Sequence, residues 1–132
     1  SAGYRVLVPK KERGKRMADR PTLTELCEWI NFERREELLA ADLTGMDLTG
    51  SEFWGGNLSE LNFQNCDFTD VNLFGADMRD ADLRGANLTR ADLHRTNFRG
   101  AIYNDETQFP AEFPAEERWL IHERDLPAEE AK

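Results

Sequence analysis

The 132-residue sequence has little of what catalysis, metal binding or membrane insertion requires. It holds two histidines, and neither His94 nor His122 has the Cys/His spacing of a zinc site around it. Its two cysteines are too few for a disulfide scaffold; Cys27 falls in a predicted helix and Cys66 at an inward repeat position, so both are expected as buried thiols. No glycine-rich phosphate loop is present, because the glycines recur at corners instead of clustering before a helix. Ser51 and Ser59 sit on a repeat with no base placed near them, which argues against nucleophilic catalysis. No apolar run approaches a membrane span and no signal-peptide core is visible. The expectation is a non-enzyme without cofactor or metal, placed in the cytoplasm, with export after signal removal left open.

Charge is the first positive feature. The formal net charge is -9, which argues against binding nucleic acid by simple attraction. Residues 1–16 carry six Lys or Arg against Glu12, a net of +5, so the remainder carries -14. Residues 1–21 read as a basic flexible extension, with Ser1-Ala2-Gly3 as a cloning remnant and Met17 as a natural start. Within it Tyr4–Val8 could pair as a short strand, and Lys10–Arg16 could act as an arm on an acidic surface.

Pro21 then precedes a helix signal. Thr22 and Glu25 form a capping box, and Leu23, Leu26, Cys27 and Ile30 recur at helical spacing. This predicts one helix from about Leu23 to Leu39 within a capping segment, residues 22–40. Its apolar face would cover the first coil of the adjoining repeat region or dock a partner.

The rest of the chain is organised around residues 41–105, thirteen consecutive five-residue repeats. The third position of each is large and apolar (Leu43, Leu48, Phe53 and on to Phe98 and Tyr103), the first is mostly small or apolar, and the second is Asp, Asn or Glu except at Ile102. A helix cannot serve this period, since each step of five rotates the apolar position by roughly 140°. An extended segment can: positions one and three face inward, and positions four and five turn a corner where glycine tolerates positive φ. Six repeats end in glycine. With four repeats per coil, Thr49, Thr69 and Thr89 stack, as do Trp54, Phe74 and His94; with three, these columns dissolve. The predicted fold is therefore an all-β solenoid, a four-sided parallel β-helix of about three coils, only ~15 Å tall at strand spacing. Read by coils, the second-position columns interleave Asn with Asp, and only Asp47 and Asp67 place two acids in register. That points to coil stability and away from acid/base chemistry. Residues 106–132 form a C-terminal cap and tail. Phe109, Phe113, Trp119, Leu120 and Ile121 would cover the last coil, with a short helix from Pro114 to about His122.

Runs such as Ala76-Asp77-Met78-Arg79-Asp80 and Ala81-Asp82-Leu83-Arg84-Gly85 resemble the pentapeptide-repeat family, and Thr107-Gln108-Phe109-Pro110 resembles a segment that often closes its coils. The resemblance implies a right-handed turn. Met46 and Leu61 are large for the first position. Some members imitate duplex DNA and bind type II topoisomerases as long, commonly dimeric rods; three coils reach less than half of a ~34 Å DNA turn, and Arg79, Arg84, Arg90, Arg95 and Arg99 put positive charge where a mimic needs negative. The reading is a non-catalytic protein-interaction module, a monomer or weak dimer with an unnamed protein partner. Topoisomerase mimicry is the first alternative, and nucleic-acid contact through the basic arm the second. The candidate surface is the outward column Trp54, Phe74 and His94, open to a partner or covered by the chain's own ends.

Overall fold

The structure, a computed structural model, describes residues 20–129. The strand expected at Tyr4–Val8, the basic arm and residues 130–132 lie outside the described residues. The chain divides after Asp42 into two compact units.

In the first unit, helix α1 spans Leu23–Asn31 and starts at the expected capping box: the Thr22 N–H donates to Glu25 Oε1 (3.0 Å) and the Glu25 N–H to Thr22 Oγ1 (3.1 Å). The single helix expected through Leu39 is broken after Asn31. Glu33 adopts a left-handed conformation (φ 55°), the Arg34 N–H reaches back to the Trp29 carbonyl, and the Glu33 N–H bonds the Ile30 carbonyl. These paired bonds are a Schellman closure with glutamate where glycine is usual, which is why no sequence signal marked it. A second helix, α2, runs Arg35–Ala40. The buried stripe also differs from expectation: Leu26, Trp29 and Ile30 are buried, whereas Leu23 is exposed and Cys27 half-buried. Burial pushes the Cys27 thiol pKa up.

The second unit is built from the repeats. Parallel bridges join residues twenty apart, from Asp47 with Asp67 to Asp82 with Ile102, so four five-residue segments complete one coil. The third-position side chains from Leu43 to Phe98 are all buried, and so is every first position from Leu61 to Ala101. Each buried Leu or Phe contributes ~1.5–3 kcal/mol of transfer free energy. Phe63 and Phe68 meet edge to face in the interior, ring centroids 5.0 Å apart. At the corners, all twelve fifth positions from Gly45 to Gly100 have φ between 59° and 80°. The third-position carbonyl commonly accepts the N–H of the next first position, as in Ala76 to Leu73 and Ala86 to Leu83. A positive φ confined to the third residue of such a turn is the type II geometry that glycine favours. Six non-glycine residues adopt it as well, among them Asn65, Asp70 and Arg95.

The second position explains itself here. In ten of the eleven second positions from Asp47 to Asn97, the side-chain Oδ1 accepts the backbone N–H two residues on, at 2.9–3.2 Å. Asp and Asn have the one-carbon reach for this Asx turn. Glu52 is the exception; one methylene longer, it accepts instead from Asn72 Nδ2 at 3.1 Å.

The ladder does not stop at Tyr103. Gln108 pairs with Asn87 at an offset of twenty-one, one residue over the period. The extra residue is taken up beside Asn104, whose Oδ1 accepts the N–H of both Glu106 and Gly85. By Trp119, twenty residues on from Arg99, the extra residue has been given back, since the Gly100 N–H reaches the Trp119 carbonyl as the Gly75 N–H reaches that of His94. Strand β1 (Ile102–Tyr103) then pairs with β2 (Ile121–His122) at an offset of nineteen, one further residue having been dropped at the left-handed Trp119 (φ 66°). The helix expected from Pro114 to about His122 is accordingly one 3-10 turn, Glu116–Arg118. It ends at Trp119 because the Ile121 N–H is claimed by the Ala101 carbonyl. Trp119 and Ile121 do not cover the last coil as expected: Trp119 is 66% exposed at an outward position beside Arg99, and Ile121 is 37% exposed. Phe109 and Phe113 stack instead (4.9 Å), with Phe113 edge-on to Phe98.

Candidate interaction surface

Trp54, Phe74 and His94 stand at the fourth position of successive coils, on one flank. The Gly55 N–H donates to the Phe74 carbonyl (2.8 Å) and the Gly75 N–H to the His94 carbonyl (2.9 Å), which fixes the three in register. Trp54 is 66% and Phe74 44% exposed, and His94 is exposed too. The Phe74 N–H is held by Asn72 Oδ1 (3.0 Å). Asp92 Oδ1 accepts the His94 N–H (3.0 Å) and lies 2.8 Å from Nδ1. These hydrogen bonds, first the backbone one, hold the Asp92 pKa below the usual carboxylate range. The column thus presents two apolar faces and an imidazole from a backbone that cannot sag, with rigid aromatic area of the type that anchors interfaces.

The other flanks differ. Thr49, Thr69 and Thr89 stack as expected, each hydroxyl turned onto its own Asp47, Asp67 or Asn87. The arginines that gave the later repeats positive charge are largely neutralised. Arg79 pairs with Asp77, Arg90 with Asp70 twenty residues back, and Arg84 with both Asp82 and Glu123. Arg99 lies over the Trp119 ring at 5.3 Å. His122 is buried against Tyr103, its Nε2 2.8 Å from Asp105 and its Nδ1 accepting the Arg124 N–H. His94 and His122 are not brought together. Among the described residues no group of three or more His, Cys, Asp or Glu is placed to hold a metal, and no helix is long and apolar enough to cross a membrane.

The sequence missed a second apolar patch, Trp119 with Ile121, beside Arg79 and Arg99. The only sign of it was that counting twenty residues from Arg99 reaches Trp119.

Comparison with known proteins agrees with this geometry. The family described as pentapeptide repeats matches residues 37–73 and 66–102, with eight copies. Among solved structures, the chain is similar to the pentapeptide repeat protein Rfr23 from the cyanobacterium Cyanothece 51142, at 30% identity and a TM-score of 0.52, over 53% of this chain and 48% of that one. It is also similar to the pentapeptide repeat protein alr5209 from Nostoc Pcc 7120, at 27% identity and a TM-score of 0.45, over 80% of this chain and 99% of that one. A third similar structure, a pentapeptide repeat protein of the Arabidopsis thaliana thylakoid lumen, gives 31% identity and a TM-score of 0.23, over 50% and 59%. This chain thus spans about half the length of Rfr23. No curated protein matches.

Proposed function

Because the chain belongs to the pentapeptide-repeat family, we propose that it is a non-catalytic protein-interaction module built on a right-handed, four-sided β-helix of about three coils, followed by a C-terminal segment, residues 106–129, that packs on the last coil. The family is generally non-enzymatic. The observation that carries the reading is the exposed Trp54–Phe74 pair, fixed in register on a ladder of backbone hydrogen bonds. A solvated flank of this fold carries Thr, Ser, Gln or Arg at that position; two large aromatics in line have no role in the core, which is complete without them. The partner in this reading is a protein that places an apolar patch against the column.

The test uses a partner purified after capture by the full chain. Trp54→Ala and Phe74→Ala should each weaken its binding at least tenfold, the ~1.4 kcal/mol of a modest hot spot, and leave the melting temperature nearly unchanged. A large fall in melting temperature with binding intact would return the column to intramolecular packing.

A further inference from the structure

The last turn of the ladder has one side missing. On the Trp54 flank each of the upper rows makes three backbone bonds to the row below: Leu73 N–H to Asp92 O, Gly75 N–H to His94 O, and Asp92 N–H to Val71 O, all 2.9 Å, with the same three from residues 51–55 to 71–75. Under residues 91–95 there are none among the described residues. The Leu93 N–H, the Arg95 N–H and the Ala91 carbonyl, which should make those bonds, have no partner among the described residues. The neighbouring sides are not bare: Gln108 pairs under residues 86–90, and the Gly100 N–H bonds the Trp119 carbonyl under residues 96–100.

The cause is the path of residues 111–117. Between Pro110 and Arg118 a regular coil would lay a full repeat along this flank. The chain instead turns in beneath the coil, where Phe113 stacks on Phe109 and meets Phe98. The shortcut leaves a cavity of about 250 Å³ lined by Ala91, Leu93, His94, Pro110, Phe113 and Arg118. That exceeds the ~150 Å³ of an engineered apolar cavity that takes benzene.

We propose that this side is a docking edge for an extended segment of a partner protein, which adds as a parallel strand under residues 91–95 and completes the coil. An unpaired strand edge is a template for another strand. The columns above the edge state which segment fits. Its second residue donates its N–H to the Ala91 carbonyl and accepts from the Leu93 N–H, and its fourth carbonyl accepts from the Arg95 N–H. Its first and third side chains point inward, into the cavity, and are apolar. Its second, beneath Asp92, is Asn, because a carboxylate there would stack on a carboxylate. Its fourth, next in the Trp54, Phe74, His94 column, is aromatic. Its fifth lies beneath Arg95, which has no ion pair among the described residues, and is acidic. The neighbouring column holds the same pairing in cis, Asp70 with Arg90 at 2.9 Å.

This inference rests on the interaction-module reading but not on the Trp54–Phe74 pair being the main anchor. The test is a titration of the full chain, followed by amide NMR, with a synthetic capped peptide of order Ala-Asn-Leu-Phe-Asp, flanked by Thr on each side, up to about 1 mM. The Leu93 and Arg95 amides should shift and gain exchange protection. N-methylation of the peptide's second residue should weaken binding at least tenfold, and N-methylation of its third, whose N–H faces away from the edge, should not. Arg95→Glu should weaken it likewise, with recovery when the peptide's acid is replaced by Lys; a Glu at this left-handed corner has a precedent in Glu60. No shift at about 1 mM, or equal binding of both N-methylated peptides, would overturn the proposal. So would protection of both amides in the free protein: at all concentrations it would mean that the chain's own end fills the rung, and only at high concentration that a second copy does. If the peptide fails while Trp54→Ala still weakens the purified partner, only the docking edge is lost; if both fail, the module reading falls with it.

Discussion

Asn65 stands where Gly85 has no side chain. Its Oδ1 occupies the space that a Cβ on Gly85 would enter, one coil further along the same corner column, and Asp80 stands over Gly100 in the same way. Gly45, at an equivalent corner with φ 73°, has nothing within 4 Å of that position. The two glycines are therefore needed for different reasons, one for backbone alone and one for backbone and space.

Gly45→Ala should cost ~1 kcal/mol, the left-handed penalty of an L-residue, while Gly85→Ala should cost clearly more. The excess should vanish in an Asn65→Ala background. Denaturant unfolding of the four variants measures the coupling, expected at ~0.5–3 kcal/mol for residues in contact. Equal costs at Gly45 and Gly85 would mean that the Asn65 side chain simply swings away.

The second-position acids predict the response to acid. Hydrogen bonds from Thr69, first from its hydroxyl and then its N–H, hold Asp67 below the usual carboxylate range, and Thr49 does the same for Asp47. Asp70 is held down chiefly by its hydrogen bond from Arg90. A carboxyl depressed by folding stabilises the fold at pH above its unfolded value, ~3.9, and that contribution is lost as pH falls through the folded value. Melting temperature should thus decline from about pH 4 downward. The double variant Asp47→Asn with Asp67→Asn keeps both Asx acceptors and should show a shallower decline. An unchanged slope would show that other groups dominate the acid response.

The repeat region was legible because its inward period of two and its corner period of five leave a mark on every repeat, so that Leu43 through Phe98 and the Trp54 column fell into place by counting. What was not legible depended on single residues. The αL closure at Glu33 uses a residue with no turn preference, and the break between α1 and α2 therefore looked like continuous helix. The extra residue near Asn104 lengthens the register by one, and two residues are lost after it, one before Trp119 and one at it. Counting by five past Tyr103 could not see these shifts, and so could not see that no described residue pairs beneath Leu93.

Leu83 tests the interior directly. It is fully buried between coils, and Leu83→Ala should cost ~2–5 kcal/mol by leaving a cavity. Equilibrium unfolding measures it. A cost below ~0.5 kcal/mol, typical of surface changes, would contradict the inward assignment of the third position.

Arg118 is the side chain that closes the ladder where the backbone leaves it. Its Nη2 donates to the Thr96 carbonyl (2.9 Å) and, more loosely, to the Leu93 carbonyl (3.4 Å). In a continuing coil a backbone N–H would reach the first of these, as the Asn97 N–H reaches the Ala76 carbonyl one coil earlier. The guanidinium also lies over the Phe98 and Phe113 rings, at 5.7 and 5.2 Å. Two contributions can be separated, because the aliphatic stem packs while the head bonds. Arg118→Met keeps the stem and removes the charged hydrogen bonds, expected to cost ~1.5–3 kcal/mol. Arg118→Ala removes both and should cost more. Arg118→Lys keeps the charge, but a point ammonium lacks the planar fork and should recover only part of the loss. The readout is unfolding free energy together with exchange protection of the Asn97 and Ala101 amides, bonded to the Ala76 and Phe98 carbonyls, which should fall in the Met variant. If Arg118→Met is as stable as the parent, water satisfies the Thr96 carbonyl as well as the guanidinium does, and the closure of that corner belongs to the Phe98–Phe113 contact instead.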